Sequence, residues 1–471
     1  MRLDPLLMFS NLLASRAFLP ASFIALITIL LTLVFGRAWC GWICPLGTTL
    51  DLFSLDKLRG KRRPPSEHWR NVKYALLVVV LTAALFGNLT LLALDPLTLL
   101  FRSLTAAILP ALNQVIVVAE NTLFPIPHLG DFVTNFDTWV RPVLLPSDPV
   151  YFKDSLLFVA MFVGVLMLNM FAPRFWCRYL CPLGGMLGLI SRVAFCRREV
   201  SEPCKGCTLC TDICPTGTIN LEKNYASDPA ECTMCMECLD PCPRSLICFT
   251  SEFAFAEKQN YDPSRREVLV MFGSTVAALT LFRSDALAKR EPSFLLRPPG
   301  AREANDDVLS MSKCIRCSEC VRACPTNALQ PASFEAGVTG FGSPVLVPRN
   351  GYCDFSCNTC GQVCPVQAIP TLSLKAKQQQ VIGIAYIDES RCIAWSDHQN
   401  CNVCEEMCPL PDKAIQLDEQ EVWAPDHGVV SVSLPHVLRD RCIGCGICEY
   451  KCPVGGEAAI RVYIPQTAVP F

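Results

Sequence analysis

A chain of 471 residues has room for two to four domains, each with its own core. The net charge of −2 gives no basis for a nucleic-acid partner, and the 51% hydrophobic fraction is concentrated in runs that can cross a bilayer. Thirty cysteines against five histidines, with no CxxCH, argue against haem and histidine-rich zinc sites and leave thiolate as the ligand on offer.

Four segments read as membrane helices, at 19–36, 73–94, 152–172 and 267–283. The loop between the first two carries Lys57, Arg59, Lys61, Arg62, Arg63, Arg70 and Lys73, and the third is followed by Arg174, Arg178, Arg192, Arg197 and Arg198. The stretch 97–150 has only Arg102 and Arg141. Positive charge gathers on the cytoplasmic side, so 37–72 and 173–262 are expected inside and 97–150 outside. Residue 1 then starts on the outer face, so either one more helix is expected upstream, the favoured reading, or Met1 begins in a reinserted hairpin. Residues 97–119 are apolar but interrupted by Arg102, Pro110, Asn113 and Gln114, and read as an interfacial helix on the outer face.

Composition divides the rest. The expectation is an α-helical membrane domain over 1–195 and a two-cluster, cytoplasmic ferredoxin domain over 196–262. A membrane segment and linker follow at 263–312, then a four-cluster domain on the periplasmic side over 313–471. Both cluster domains are expected to be α+β and ferredoxin-like.

Six times the chain repeats a cysteine triplet followed by Cys-Pro. Two copies lie in the middle: Cys204, Cys207, Cys210, Cys214 and Cys232, Cys235, Cys238, Cys242. Two more are Cys314, Cys317, Cys320, Cys324 and Cys353, Cys357, Cys360, Cys364. The last two are Cys392, Cys401, Cys404, Cys408 and Cys442, Cys445, Cys448, Cys452. A cubane needs four thiolates converging from different directions. A triplet at short intervals wraps three corners in one loop, and the cysteine before proline reaches the neighbouring cluster. In the middle domain this assigns Cys204, Cys207, Cys210 and Cys242 to one cluster and Cys232, Cys235, Cys238 and Cys214 to the other. The last four motifs can pair adjacently or in a nested way, and spacing does not choose. Structural zinc is the bland alternative, but zinc ribbons use two distant CxxC pairs rather than triplets with a Cys-Pro. Six 4Fe-4S clusters are therefore expected.

A second motif, Cys40-Gly-Trp-Ile-Cys44-Pro45 and Cys177-Arg-Tyr-Leu-Cys181-Pro182, follows a membrane helix in each copy and continues Leu-Gly. The duplication suggests four thiols meeting at the inner face. They would form a further redox centre, a metal site or a dithiol pair, against the plain reading of helix-end packing. Cys196 and Cys248 fall outside every motif and read as ordinary cysteines.

Ser264-Arg265-Arg266 before an apolar run looks like a twin-arginine export signal, which moves domains already folded around cofactors. The plain alternative is the basic flank of a membrane helix. Either places 284–471 outside the cytoplasm, with Ala286-Leu287-Ala288 a possible cleavage site. No phosphate-binding GxxxxGK[ST], no strand-framed GxGxxG and no hydrolytic triad occurs.

The paired CxxxCP motifs ahead of two ferredoxin motifs, over residues 1–250, resemble the NapH-type quinol-oxidising subunit of periplasmic nitrate reductase systems. The twin-arginine segment with four cluster motifs, over 263–471, resembles the NapG partner, with methylamine-utilisation and maturation ferredoxins close by. The chain thus resembles a NapH–NapG fusion. Two features depart from it: NapH proteins carry one more helix before the first CxxxCP, and the outer segment 97–150 is long. There is no flavin-attachment domain of the related nitrous oxide reductase regulator. The resemblance implies a quinol dehydrogenase component of the inner membrane, multi-pass, with quinol as donor and a periplasmic reductase or cytochrome c as acceptor. The alternative it implies is an electron donor for maturation or reactivation of a periplasmic metalloenzyme. The catalytic residues of quinol oxidation are not identified by any motif.

Overall fold

The computed structural model describes the chain except residues 17–22, 54–66, 127–129, 140–151, 153–154, 201–203, 205–206, 222–223, 252–268, 278–294, 302–311, 337–339, 425–427 and 465–471. The twin-arginine residues, Ala286-Leu287-Ala288 and Lys57 to Arg63 lie outside the described residues. The chain forms two compact units, Met1–Ser103 with Leu156–Lys289, and Leu104–Ser155 with Arg290–Phe471.

The first unit begins with apolar helices. Asp4 starts the helix Pro5–Ser15 by accepting the backbone N–H groups of Leu6 and Leu7, and Arg16 ends it in a left-handed conformation. Ile24–Phe35, Asn71–Leu85 and Ser155–Met167 follow. Burial in Ile24–Phe35 is inverted relative to a soluble helix. Thr28 and Thr32 face inward, whereas Ile27 is 52% and Leu30 64% exposed. On Ser155–Met167, Leu156 is 78% exposed while Phe158 and Phe162 are buried.

Among the described residues one helix is long and apolar enough to cross a membrane, Pro96–Leu123, with 28 residues. The helix expected over 97–119 is present, and it runs through Arg102, Pro110, Asn113 and Gln114, the residues that interrupt its apolar pattern. A π turn at Leu104–Ile108 resets the register, and Pro110 falls in the first turn of the following segment Leu109–Leu123, where its missing N–H costs little. Arg102 and Asn113 are both buried. Among the described residues the other apolar helices, such as Asn71–Leu85, are shorter, and residues 19–22, 153–154, 267–268 and 278–283 of the spans read from composition lie outside the described residues.

The rest of the first unit is a small ferredoxin-like body. Strand β1 (Cys196–Val200) pairs antiparallel with β4 (Ile247–Ser251), and the short β2 (Ile219–Asn220) pairs with β3 (Ala226–Ser227). Cys196 and Cys248 are residues of β1 and β4.

In the second unit β5 (Leu329–Pro331) pairs with β6 (Pro344–Leu346). Further on, β7 (Ile384–Ile387) pairs with β10 (Ile460–Tyr463), closing a second ferredoxin-like body. Between them β8 (Ile415–Ala424) and β9 (Gly428–Val437) form a long antiparallel ribbon, with Trp423 67% exposed near its tip.

Candidate iron–sulfur centres

Local backbone explains why the triplet loops can wrap a cubane. In three motifs the residues on either side of the second cysteine are left-handed: Met234 and Met236, Arg316 and Ser318, Gly444 and Gly446. Thr208 holds the same place after Cys207. Alternating hands turn successive N–H groups toward one point and create a concavity for an anion. Cys232 accordingly takes the N–H of Met234, Cys314 that of Arg316, Cys317 that of Glu319, and Cys445 that of Ile447.

Around these loops the cysteines gather in fours. In the first unit Cys204, Cys210 and Cys242 pack in one small core with Tyr225 and Ile247, and the Cys210 thiol feels the charge of Cys207. Cys232 and Cys235 both feel Cys214, and Cys238 adjoins Cys232. The Cys-Pro cysteine of each motif thus sits with the other motif's triplet.

In the second unit the pairing that spacing left open is adjacent. Cys314, Cys317, Cys320 and Cys364 line one void. Cys353, Cys357, Cys360 and Cys324 line the next. Cys392, Cys401, Cys404 and Cys452 line a third, and Cys442, Cys445, Cys448 and Cys408 a fourth. The long gap before Cys401 is taken up by the short helix Ile393–Ser396. The side chain of Asn400 pins the loop to β9 by accepting the Ser433 N–H at 2.8 Å.

The spread of the thiols bears on the choice between cubane and zinc. Among the described residues no three His, Cys, Asp or Glu side chains close on a point that could hold a single ion. A zinc site draws its thiolates to about 2.3 Å from one atom, whereas a cubane spreads them over four irons. The electrostatics agree. Burial and neighbouring thiols push Cys360, Cys404 and Cys445 up to about 12 each, and burial takes Cys232 to about 11. Four crowded thiols ionise together only when a cationic core shares their charge.

Three features carry no sequence motif. The buried Arg198 donates from Nε to Cys238 Sγ at 3.3 Å and from Nη1 to the Tyr225 carbonyl at 2.7 Å. The buried Lys377 donates to the Asp354 carbonyl and hydrogen-bonds the Cys353 thiol. Backbone N–H groups of Ile369, Ala385 and Ala414 lie at 3.4 to 3.5 Å from the sulfurs of Cys364, Cys442 and Cys408. Hydrogen bonds and positive charge at cluster sulfurs are the means by which a protein sets potential.

The CxxxCP motifs form two matched corners. Cys40 and Cys177 lie in π turns, Trp39–Ile43 and Trp176–Leu180, and Cys44 and Cys181 begin the helices Pro45–Leu52 and Pro182–Ser191. Arg174 ties the copies together, pairing with Asp51 and donating to the Cys40 carbonyl at 3.4 Å. Burial raises Cys44, which also feels Cys177 and Cys40, while Cys181 feels the same two. The four thiols thus lie within electrostatic reach of one another. The backbone of the first motif abuts the 232–238 loop: Trp42 Nε1 donates to the Met234 carbonyl at 2.9 Å, and a Cβ on Gly41 would meet the Thr233 carbonyl at 2.3 Å. Beside them the buried Glu231 receives Lys73, lies 3.6 Å from Arg37, and accepts from Tyr74 at 3.1 Å. Burial alone would raise its carboxyl, but Lys73 and Arg37 outweigh that and hold it below its usual value.

Comparison with known proteins matches this arrangement. Residues 17–65 and 155–201, which enclose the CxxxCP motifs, match a family described as a 4Fe-4S binding domain. Residues 313–368 match a 4Fe-4S dicluster domain, and 201–217 and 434–460 match further 4Fe-4S binding domains. The methylamine utilization ferredoxin-type protein MauM of Methylorubrum extorquens is 33% identical over 208 residues, 42% of this chain and 89% of that protein. The ferredoxin-type protein NapG of Haemophilus influenzae is 31% identical over 44% of this chain and 74% of its own length. The Escherichia coli NapG is 32% identical over 42% and 82%. No solved structure matches. The chain belongs to the NapG/NapH-type family of ferredoxin-type iron–sulfur electron-transfer proteins, with MauM among its relatives.

Proposed function

We propose that the chain is a membrane-bound conduit that takes electrons from a quinol and delivers them to a periplasmic reductase or c-type cytochrome. Six 4Fe-4S clusters held by the six thiol quartets would carry the electrons. The observation that carries this reading is the seating of Gly41 and Trp42, inside the first CxxxCP motif, directly against the 232–238 loop. A redox-active group at the membrane end of the molecule thereby adjoins a cluster site. The four CxxxCP thiols act as the relay between the membrane helices and the ferredoxin body.

The inverted burial of Ile24–Phe35 and Ser155–Met167 supports a bilayer around the first unit. Large apolar side chains outside and small polar ones inside suit a lipid solvent. The basic segments flanking these helices support a topology with 37–72 and 173–262 in the cytoplasm and 284–471 in the periplasm. A second reading is an electron donor for maturation or reactivation of a periplasmic metalloenzyme; one relative, MauM, is named for methylamine utilization.

The test is anaerobic. The chain is purified in detergent, mixed with a menaquinol analogue, and cluster reduction is followed by EPR. Reduction by quinol alone establishes the dehydrogenase. Reduction by dithionite but never by quinol would leave an assembly donor that depends on another subunit.

A further inference from the structure

The four thiol quartets of the second unit are joined at three places. The first two exchange Cys324 and Cys364, and the Cys320 thiol feels Cys360 across the join. The quartets built on Cys392 and Cys442 exchange Cys408 and Cys452, and Cys448 feels Cys404. The third join is announced by no motif. The backbone N–H of Cys353 donates to the Cys445 carbonyl at 2.8 Å, and the Cys445 thiol feels Cys353.

This third join is keyed by packing on both sides. Arg349 donates to the carbonyls of Glu449, Cys452 and Val454, at 3.1, 3.2 and 2.7 Å. The rings of Tyr352 and Tyr450 lie 5.5 Å apart. Gly446 has φ +81, and a Cβ there would lie 2.8 Å from Pro348. The two ferredoxin-like pairs are therefore locked edge to edge.

We infer that the second unit is a single-file wire whose order is the Cys314, Cys353, Cys442 and Cys392 quartets. That order is not the order of the motifs along the chain, because the last two are exchanged. Its midpoint is the Cys353–Cys445 hydrogen bond, and its two ports are the Cys314 and Cys392 quartets. Donor and acceptor meet the ports, and the inner two sites are relays. Each transfer moves one electron, oxidising one site and reducing its neighbour, and no bond is made or broken. The inference rests on the quartets holding clusters, as the proposed function requires.

The test uses the full chain, dithionite-reduced, with spin–spin coupling between clusters read by pulsed EPR and iron content read separately. Cys401→Ser with Cys404→Ser removes the terminal cluster of the Cys392 quartet. The expected result is loss of coupling at the Cys442 site alone, with the Cys314 and Cys353 signals unchanged. Disturbance of the Cys314 signal would overturn the order. Arg349→Met keeps every ligand, and it is expected to weaken coupling between the Cys353 and Cys442 sites while iron content stays at the parent value. Unchanged coupling in that variant would overturn the midpoint. Iron too low for four clusters in the second unit of the parent chain would sink the cofactor assignment itself, a separate failure visible before any coupling is measured.

Discussion

A single buried cation at a cluster sulfur decides much of how that cluster behaves. Arg198 reaches Cys238 Sγ from strand β1, 40 positions away in sequence. Its charge favours the more negative, reduced state. Arg198→Gln is expected to lower the potential of the cluster at the Cys232 quartet by roughly 60 mV, a factor of about ten for a one-electron couple. An EPR-monitored redox titration checks it, and an unmoved midpoint would mean that Arg198 serves packing alone. Glu231 is the second such residue. It compensates the fully buried Lys73 and also receives Tyr74. Removing its charge strands the ammonium, so Glu231→Gln should destabilise the first unit by about 3–5 kcal/mol, and adding Lys73→Met should recover much of the loss. Thermal unfolding of the three variants in detergent measures the coupling. Every cysteine quartet member was legible in the sequence because ligand spacing is local. Arg198, Lys377 and the Lys73–Glu231 pair were not, because each acts across a separation that only the folded chain closes.

At the scale of elements, the turns around the second cysteine carry the architecture. Gly444 has φ +69, and a Cβ there would meet the Gly383 carbonyl at 2.3 Å. Gly444→Ala is therefore expected to cost the cluster at the Cys442 quartet, lowering iron by one cluster per chain. Gly428 is the control. It has a similar φ of +73 but open space around it, so Gly428→Ala should cost about 1 kcal/mol and no iron. Equal iron loss in both would show that backbone conformation and not the close approach controls the site. The adjacent pairing of the last four motifs was hidden from spacing because it depends on which two motifs fold together into one ferredoxin-like body. The helix at Pro96–Leu123 was legible from its apolar pattern, but the π turn within it was not. Proline breaks a helix only where its ring meets a carbonyl one turn back, and the π turn at Leu104–Ile108 removes that conflict.

For the molecule as a whole, the cores are partly made of ligands. Cys392 packs with Val432 and Leu434, Cys448 with Ile415 and Ile460, and Cys210 and Cys238 with Tyr225 and Ile247. A body whose core is assembled on cluster thiolates takes much of its folding energy from the cluster, as metal-nucleated domains do. Anaerobic removal of iron by a chelator is expected to make the second unit protease-sensitive throughout, while the apolar helices of the first unit keep their helicity in detergent. Limited proteolysis with circular dichroism follows both. The exposed face of Ile24–Phe35 asks the complementary question of its solvent. With lipid against Leu30, which is 64% exposed, Leu30→Arg should reduce insertion by about 2.5–3.5 kcal/mol and shift the chain out of the carbonate-resistant membrane fraction. Thr28→Arg, on the buried face, should instead disrupt the helix packing against Leu3, whose carbonyl accepts from the Thr28 hydroxyl at 2.7 Å. A chain that tolerated arginine at Leu30 with unchanged membrane retention would place that face in water, and the quinol reading would lose its physical setting.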